Sequence, residues 1–587
     1  MAPVVANLPG AAPAAPARPV ARKPWWSPRA RAGESEGRGL MLPIAVFMAL
    51  FVILPIIRLF WDAITTEKGR LTAEFFRSFM TDPYFYKALF NSLTLGAATV
   101  VTTSVVGFLV AYLIVRYEFP GRRLYSYLSF IPTIMPPLVG VMGFVFILGR
   151  SGSINTLLMD VFGFLRPVNF IYGWHGILLV ETLHLFPLIT VNVVDALQKI
   201  DASLEEAAES IGSTGLEKVF RITLPLTTPG FITGGLLVFI WAFADFATPL
   251  VVGVQDLLAP QAYLNIVQYV DNRLFKMGIA SAAIMVLFAI VFLVVAKRYV
   301  AVKDYSTLSY RSVERQRIRG IALWAVEIFL SVLLLLSFVP YLGVTLAAFS
   351  KGWALTVLPT KFTLEHFARV MFETPKYIIN TFVYCGLAVL ICILVGVPIA
   401  WVLARTKAKG RGMLDSLVTL VLALPGTALG IGYVRAFHQP LPGLAVALTD
   451  LWVIIPLVLA VRRLPYTVRS TFSSLLVVHR SLEEAASSVG ATGVRSFVDI
   501  TLPLIWRGVF AGALFSFMTS IQEAAATILL SLPGHETMTV GIFSFYTSGV
   551  INQAAALGFI LIVAGAAALF AVNSLAETGG QTGGFFG

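Results

Sequence analysis

SLEEAAESIGSTG, at residues 203–215, returns almost unchanged as SLEEAASSVGATG at residues 481–493. Both copies are polar and acidic, and both lie between long hydrophobic runs. The whole chain is 57% hydrophobic and 13% charged, with a mean hydropathy of +0.83, whereas soluble domains carry about 25% charged residues. We therefore interpret the chain as an integral membrane protein in which each copy is a polar loop between spans.

Twelve segments are long and apolar enough to cross a bilayer, which takes about 20 residues of helix. They lie near 41–60, 91–115, 125–149, 171–193, 230–252 and 278–296, and then near 321–348, 380–404, 414–436, 450–471, 508–531 and 552–573. Basic residues cluster at 297–320 and 405–412. Because Lys and Arg collect in cytoplasmic loops, we expect both termini and both polar segments to be cytoplasmic. The net charge of +12 then reflects these loops, and no nucleic-acid partner is expected.

The repeat extends far beyond the polar segment. Residues 91–116 align with 380–405 without a gap, and Pro136 matches Pro425 at the same spacing. Farther on, Asp245 matches Glu523 at a shorter spacing, so we place a deletion in the second copy of the loop 150–167. Each half has an even number of spans, so both halves point the same way. The predicted fold class is all-α and polytopic, with two parallel six-helix repeats.

The predicted domains follow from this repeat. They are a disordered cytoplasmic tail at 1–40, a first repeat at 41–300, a basic cytoplasmic linker at 301–320, a second repeat at 321–573 and a cytoplasmic tail at 574–587. The first tail is rich in Ala, Pro and basic residues and has no apolar core of the signal-peptide type. Cys385 and Cys392 share one apolar run and are interpreted as buried apolar residues. No metal site and no cofactor are predicted.

Each polar segment is predicted to form a short helix, a tight turn and a second helix. Ser and Glu at capping-box spacing can begin the first helix at Ser203 and Ser481. Gly212 and Gly490 are expected to turn the chain with a positive φ. A second helix then leads to the Leu-Pro pairs at 224–225 and 502–503. Two like elements exposed on a pseudo-two-fold object suit a partner that is itself two-fold.

The pattern E-A-A, three residues, G, nine residues, I-x-L-P resembles the EAA loop of bacterial ABC importer permeases, and both copies contain every part of it. The resemblance implies the type I importer permease fold, a location in the bacterial inner membrane, and two docked copies of a cytoplasmic ABC ATPase. It also implies a periplasmic or lipid-anchored substrate-binding protein. The residues expected to couple to the ATPase are Glu205, Glu206, Ala207, Ala208, Gly212, Glu483, Glu484, Ala485, Ala486 and Gly490.

No phosphate-binding G-x-x-x-x-G-K-[ST] loop occurs in the chain. ATP hydrolysis is therefore assigned to the separate partner subunits, and the chain is predicted to be a translocation subunit with no catalytic residue. An ion-gradient-driven secondary transporter is the main alternative. It would account for twelve spans but not for two EAA loops. A second alternative is a membrane scaffold or sensor that recruits ATPases without transporting.

Charged residues within spans are candidate pathway residues, because burying a charge in a membrane is costly. The candidates are Asp245, Glu523, His184 and Arg462, with Glu181 and Arg463 close by in the sequence. The alternative is that these groups hold helices together. The fused layout and the phrase ADFATPLVVG at 244–253 resemble the ferric-iron permease group, which implies ferric iron as substrate. Permeases for 2-aminoethylphosphonate, polyamines, thiamine and sugar phosphates resemble that group too, so these substrates stay open.

Overall fold

The computed structural model describes residues 39–66, 68–268, 271–302, 315–443 and 445–577, and these residues are almost entirely helical. Most of the predicted tails and linker, at 1–38, 303–314 and 578–587, lies outside the described residues. The first repeat contains α1 (Gly39–Ala63), α2 (Glu74–Thr81), α3 (Pro83–Arg116), α4 (Arg122–Leu128), α5 (Pro137–Leu148), α6 (Ser153–Asp160), α7 (Trp174–Gln198), α8 (Ala202–Ser210), α9 (Gly215–Ala244), α10 (Ala247–Val251), α11 (Leu258–Val267) and α12 (Asn272–Val302).

The second repeat follows the same order. It contains α13 (Ile321–Phe349), α14 (Glu365–Ala368), α15 (Lys376–Arg405), α16 (Arg411–Ala423), α17 (Gly426–Phe437), α18 (Ile454–Val477), α19 (Arg480–Ser488), α20 (Gly493–Ile521), α21 (Ala525–Leu530), α22 (Met538–Thr547) and α23 (Ile551–Glu577). Two short 3₁₀ turns lie at Ile131–Ile134 and Leu448–Asp450. The small helix α6 falls in the loop where the alignment placed the deletion, and only the turn Leu448–Asp450 occupies the matching loop.

All twelve predicted spans have helical counterparts among the described residues. Ten helices are long and apolar enough to cross a membrane, and the pair α16 and α17, bent by 111°, can form an eleventh span. The predicted span at 450–471 is α18, a helix of 24 residues. Its three arginines, Arg462, Arg463 and Arg469, lower its hydropathy, and Arg463 is buried in the protein rather than exposed to lipid.

Four predicted spans are broken, which the sequence analysis did not foresee. Helix α5 begins directly after Pro136 and α17 directly after Pro425, and both prolines have extended backbones with ψ of 133° and 136°. A proline lacks the N–H that a continuous helix needs. The other two breaks lie at Asp245, between α9 and α10, and at 522–524, between α20 and α21. The repeat therefore preserves the breaks as well as the helices.

The first helix of each repeat crosses onto the other repeat. Helix α13 packs on α5, and α1 packs on α17. The two crossings depend on glycines at matching positions. A Cβ at Gly143 would collide with the backbone of Pro340, and one at Gly432 would lie 3.0 Å from the carbonyl oxygen of Pro55. The close approach of the backbones ties the two repeats into one bundle.

Four π-turns occur among the described residues, and each ends two residues before a proline. They span Ala49–Ile53, Val219–Thr223, Arg369–Glu373 and Phe497–Thr501. In each, the residue before the proline donates its N–H to the carbonyl five residues back. This wider bonding accommodates the missing proline N–H. Two of these turns lie near the starts of α9 and α20, just after the polar segments.

One short parallel ladder completes the fold. Strand β1 (Tyr117–Glu118) follows α3, and strand β2 (Gln316–Arg317) precedes α13. The ladder holds the end of the predicted linker against the first repeat. It lies on the side of the bundle that the charge pattern assigns to the cytoplasm.

Candidate functional site

The two polar segments form short helices on the same side of the bundle. Helices α8 and α19 end at Ser210 and Ser488, as the sequence predicted. The predicted capping boxes are wrong, however. Helix α8 begins one residue earlier, with Asp201 accepting a hydrogen bond from the N–H of Ser203 at 2.9 Å. Helix α19 follows His479, which makes no side-chain cap. An Asp directly before the helix is itself a preferred cap, so Ser203 is displaced into the helix.

The two glycines turn the chain as predicted. Gly212 has a φ of +91° and Gly490 a φ of +92°. Both are exposed, and a Cβ at either position would meet no atom within 4 Å. The need for glycine here comes from the left-handed backbone rather than from crowding. The same geometry in both repeats gives the two helical hairpins the same shape.

The predicted coupling residues divide into two faces of each helix. Glu205, Ala208 and Ala486 are buried and Glu483 is half-buried. The exposed members are Glu206, Ala207, Gly212, Glu484, Ala485 and Gly490. This division follows helical spacing, since residues three apart share a face. The inward-facing residues fix the helix to the membrane bundle, and the outward-facing ones remain accessible to a partner.

The inward carboxylates are tied to the ends of the spans by arginines. Arg116, the last residue of α3, forms an ion pair with Glu205, and both side chains are buried. At the matching place, Arg405 Nε lies 3.1 Å from Glu483 Oε1. The hydroxyl of Thr501 also donates to Glu483, at 3.0 Å. The two arginines occupy matching positions in the internal repeat, but the sequence alone did not indicate a site for them.

Large apolar side chains are exposed on each hairpin at matching positions. Ile211 and Val489 are 86% and 87% exposed. Leu204, Leu216, Leu482 and Val494 are exposed as well. Clustered apolar residues on the surface of a folded protein mark places where a partner binds. Each hairpin therefore presents an apolar surface beside an exposed carboxylate, Glu206 in one copy and Glu484 in the other.

The four helix breaks converge on one cavity between the repeats. The cavity measures about 160 Å³. Its wall includes residues from every break, namely Pro132, Met135, Pro137, Asp245, Phe246, Leu424, Pro425, Gly426, Gln522, Glu523 and Ala524. All four predicted pathway residues, Asp245, Glu523, His184 and Arg462, line it too. Broken helices expose unpaired backbone groups, and transporters use such breaks to build binding sites.

On the second-repeat side, Glu523 is held by two arginines. Its carboxylate forms an ion pair with Arg462 and lies 2.7 Å from Nη2 of Arg463. The other carboxylate oxygen accepts the N–H of Ala526 at 3.1 Å and so caps α21. Glu523 is only 5% exposed. This acid is fully occupied by contacts within its own repeat.

On the first-repeat side, the matching acid has different neighbours. Asp245 is half-buried and caps α10 by accepting the N–H of Ala247 at 2.9 Å. The carboxyl group of Glu181 lies within hydrogen-bond reach of Asp245. His184, on the same helix as Glu181, lies close to the backbone of Pro132.

The cavity is thus acidic on one side, whereas on the other side two arginines surround one carboxylate and leave that cluster with a net positive charge. No three His, Cys, Asp or Glu side chains in the described part of the chain are grouped to hold a metal ion. Cys385 and Cys392 are buried, free and outside the cavity wall. Their interpretation as apolar residues is confirmed.

Comparison with known proteins agrees with this arrangement. The family described as binding-protein-dependent transport system inner membrane component matches twice, at residues 103–304 and 396–577. The ferric transport system permease protein FbpB of Actinobacillus pleuropneumoniae is 26% identical over 89% of this chain and 76% of its own length.

Two shorter relatives match part of the chain. The molybdenum transport system permease protein ModB of Escherichia coli is 34% identical over 28% of this chain and 71% of its own length. A putative 2-aminoethylphosphonate permease, PhnU of Salmonella typhimurium, is 29% identical over 37% of this chain and 76% of its own length. The two family matches together cover more than half of the chain. The chain therefore belongs to the binding-protein-dependent transport system inner membrane component family, as a multi-pass permease of an ABC importer and not an enzyme.

Proposed function

We propose that this permease imports ferric iron through the cavity between its two repeats. The observation that supports this most is the likeness to a ferric transport permease along 89% of the chain. The molybdenum and 2-aminoethylphosphonate relatives match much smaller parts. The acids that line the cavity agree with a cationic substrate. The cavity arginines, which would favour an anion, are both engaged by Glu523.

The pathway residues proposed from the sequence have separate roles in this view. Asp245 and His184 lie on the acidic side and face the route of the cation. Glu523 and Arg462 belong, with Arg463, to an ion-paired cluster that joins α18 to the break between α20 and α21. A second tie crosses between the repeats, where the side-chain amide of Gln522 donates to the carbonyl of Ile134 at 2.8 Å. These contacts would keep the second-repeat side of the cavity fixed while the first-repeat side changes its conformation.

Two copies of an ABC ATPase would dock on the two hairpins, one on each. Support comes from the matching exposed apolar residues, from Glu206 and Glu484, and from the glycine turns that shape both hairpins alike. The ion pairs of Glu205 and Glu483 would carry the motion of a docked ATPase into α3 and α15. The π-turns and Leu-Pro joints at the start of α9 and α20 would carry it into the helices that end at the cavity.

The rest of the proposed assembly follows from the orientation. Both termini and both hairpins would be cytoplasmic, and a periplasmic or lipid-anchored binding protein would deliver substrate at the opposite face. The proposed repeat boundaries are 41–300 and 321–573, joined by the basic linker at 301–320. The termini and most of the linker lie outside the described residues.

Transport by the purified importer tests the substrate. The permease is reconstituted in liposomes with its ATPase and binding protein, and radiolabelled ferric citrate is supplied on the binding-protein side. We expect ATP-dependent uptake of iron that excess molybdate and 2-aminoethylphosphonate leave unchanged. ATP-dependent uptake of either anion, with no uptake of iron, would contradict the proposed substrate and leave the family assignment in place.

A further inference from the structure

The two repeats place corresponding acids in opposite electrostatic surroundings. Asp245 and Glu523 occupy matching positions, but only Glu523 has arginines against it. The difference originates on the neighbouring helices, α7 and α18. At the positions that match Arg463 and Glu181, the other repeat has Leu185 and Leu459. Together with His184, which matches Arg462, this exchange removes two positive charges from one side of the cavity and adds a carboxyl group there.

Glu181 is a buried acid with an incomplete set of contacts. It is 4% exposed and lines the cavity, and its Oε1 has no hydrogen-bond partner within the described part of the chain. Nε2 of His184 also lacks a partner among those residues. In the neutral ring with its proton on Nδ1, Nε2 is a lone-pair acceptor. Acceptors therefore dominate this side of the cavity.

Two carboxyl groups in contact repel one another when both are ionised. The repulsion is relieved by a shared proton or by a cation between them. The nearby arginines cannot relieve it, because both are directed to Glu523. A buried polar pair that costs stability and lines a cavity between repeats is typical of a functional site rather than of a structural tie.

From these contacts we infer that Glu181 and Asp245 form a transit site for a hard metal cation, with His184 as a neutral acceptor beside it and Glu523 excluded from it. This inference rests on the proposed function. Hard cations prefer oxygen ligands, and two carboxylates supply them. The described residues offer no third acidic or cysteine ligand close enough to close a cage. A cation here keeps part of its own ligand shell and can leave again, as conduction requires.

The test uses Glu181→Gln and Asp245→Asn in the full importer, reconstituted with its ATPase and binding protein. Each substitution keeps the size of the side chain and removes its charge. We expect ferric citrate uptake per folded complex to fall about tenfold or more, because a unit charge acts strongly at short range in a low dielectric. Basal ATP hydrolysis should stay within about twofold of the unmodified complex.

Thermal stability separates a transit site from a structural tie. Without bound iron, Glu181→Gln and Asp245→Asn should leave the Tm unchanged or raise it, because each removes a like-charge contact. A structural tie would instead lower the Tm or prevent folding. Thr190→Val is the matched control on the same helix. Thr190 is buried, bonds to the carbonyls of Phe186 and Gly107 and does not line the cavity, so this variant should retain uptake.

The outcomes distinguish this inference from the proposed function. Iron uptake by the unmodified importer, with unchanged uptake in both charge-removed variants, would overturn the transit site alone. Loss of folding in both variants would overturn it too. If the unmodified importer moves no iron, the proposed substrate fails. Gallium(III), a hard trivalent ion without redox chemistry, should compete with ferric iron for uptake, and this competition should weaken in Asp245→Asn. An unchanged competition curve in that variant would contradict a direct role of Asp245 in cation binding.

Discussion

Adjacent glutamates in each hairpin have opposite surroundings. Glu205 is buried against Arg116, whereas Glu206 is exposed. In the second copy, Glu483 is tied to Arg405 while Glu484 is exposed. The two glutamates are adjacent in a helix, so their side chains point in different directions. The first glutamate holds the hairpin on the membrane bundle, and the second is available to a partner.

Arg116→Leu tests this division of roles. The variant leaves the buried carboxylate of Glu205 with Lys218, whose Nζ is 3.7 Å away. Removing one partner of a buried ion pair costs about 3–5 kcal/mol, so the free energy of unfolding should fall by an amount near the lower end, because Lys218 remains. ATP hydrolysis should also lose its dependence on the binding protein.

The control for that experiment is Glu484→Gln, in the second hairpin. It removes an exposed carboxylate, so thermal stability should stay unchanged while association with the ATPase weakens. Thermal unfolding and co-purification of the ATPase measure the two effects. Equal stability of Arg116→Leu and the unmodified protein would show that the buried pair does not hold the hairpin.

At the scale of elements, paired irregularities define this fold. The helix breaks at Pro136 and Pro425, the crossings at Gly143 and Gly432, and the π-turns before the Leu-Pro joints all occur in both repeats. Each has a local cause in a residue that lacks an N–H or a side chain. The breaks end helices at the cavity, and the π-turns begin the helices that lead there. The hairpin glycines belong to the same set.

Gly490→Val should weaken docking of the ATPase. Valine must adopt a φ near +92°, and the left-handed region costs an L residue about 1–2 kcal/mol, so the turn should open and reorient α19. We expect less ATPase to co-purify while the membrane bundle keeps its yield. Gly412→Val is the matched control, because Gly412 is exposed, has open space around it and has no positive φ. If the same amount of ATPase co-purifies with both variants, the turn at Gly490 is not needed for docking of the ATPase.

Across the whole molecule, the two repeats match in structure but differ in the charges that they place along the cavity. The hairpins, breaks and crossings match, as the proposed docking of a two-fold ATPase would require. The cavity does not match, since arginines occupy only one side of it. A small substrate need not have two-fold symmetry, so the residues that line its site can differ between the two repeats. The surface proposed to bind the ATPase is therefore alike in the two repeats, and the surface proposed to face the substrate is not.

The orientation of the molecule can be tested with single cysteines. Ser487 lies exposed on a hairpin, and Leu165, 99% exposed, lies in the loop at 150–167 on the predicted outer side. In intact cells an impermeant thiol reagent should label Leu165→Cys and spare Ser487→Cys. In inverted vesicles the pattern should reverse. The native cysteines are buried and should add little background. Labelling of Ser487→Cys from outside would reverse the topology.

Local sequence was sufficient for the features that depend on nearby residues. Hydropathy determined the twelve helical segments, because a span must satisfy its own backbone bonds within the bilayer. Internal alignment identified the two repeats and the extra loop at 150–167. The polar segments indicated the hairpins, and their glycines indicated the turns, since a positive φ is a property of one residue. The family followed from the same motif.

Tertiary structure alone decided which polar groups meet. The sequence treated Asp245 and Glu523 as equivalent acids, because the alignment pairs them. Folding brings Glu523 against the arginines of α18 and brings Asp245 against Glu181 of α7, and these contacts join residues about 60 positions apart. It also pairs Arg116 with Glu205 and ends helices at the cavity. Charges buried together set one another's energies at short range, so the role of each acid depends on neighbours that are distant in the chain.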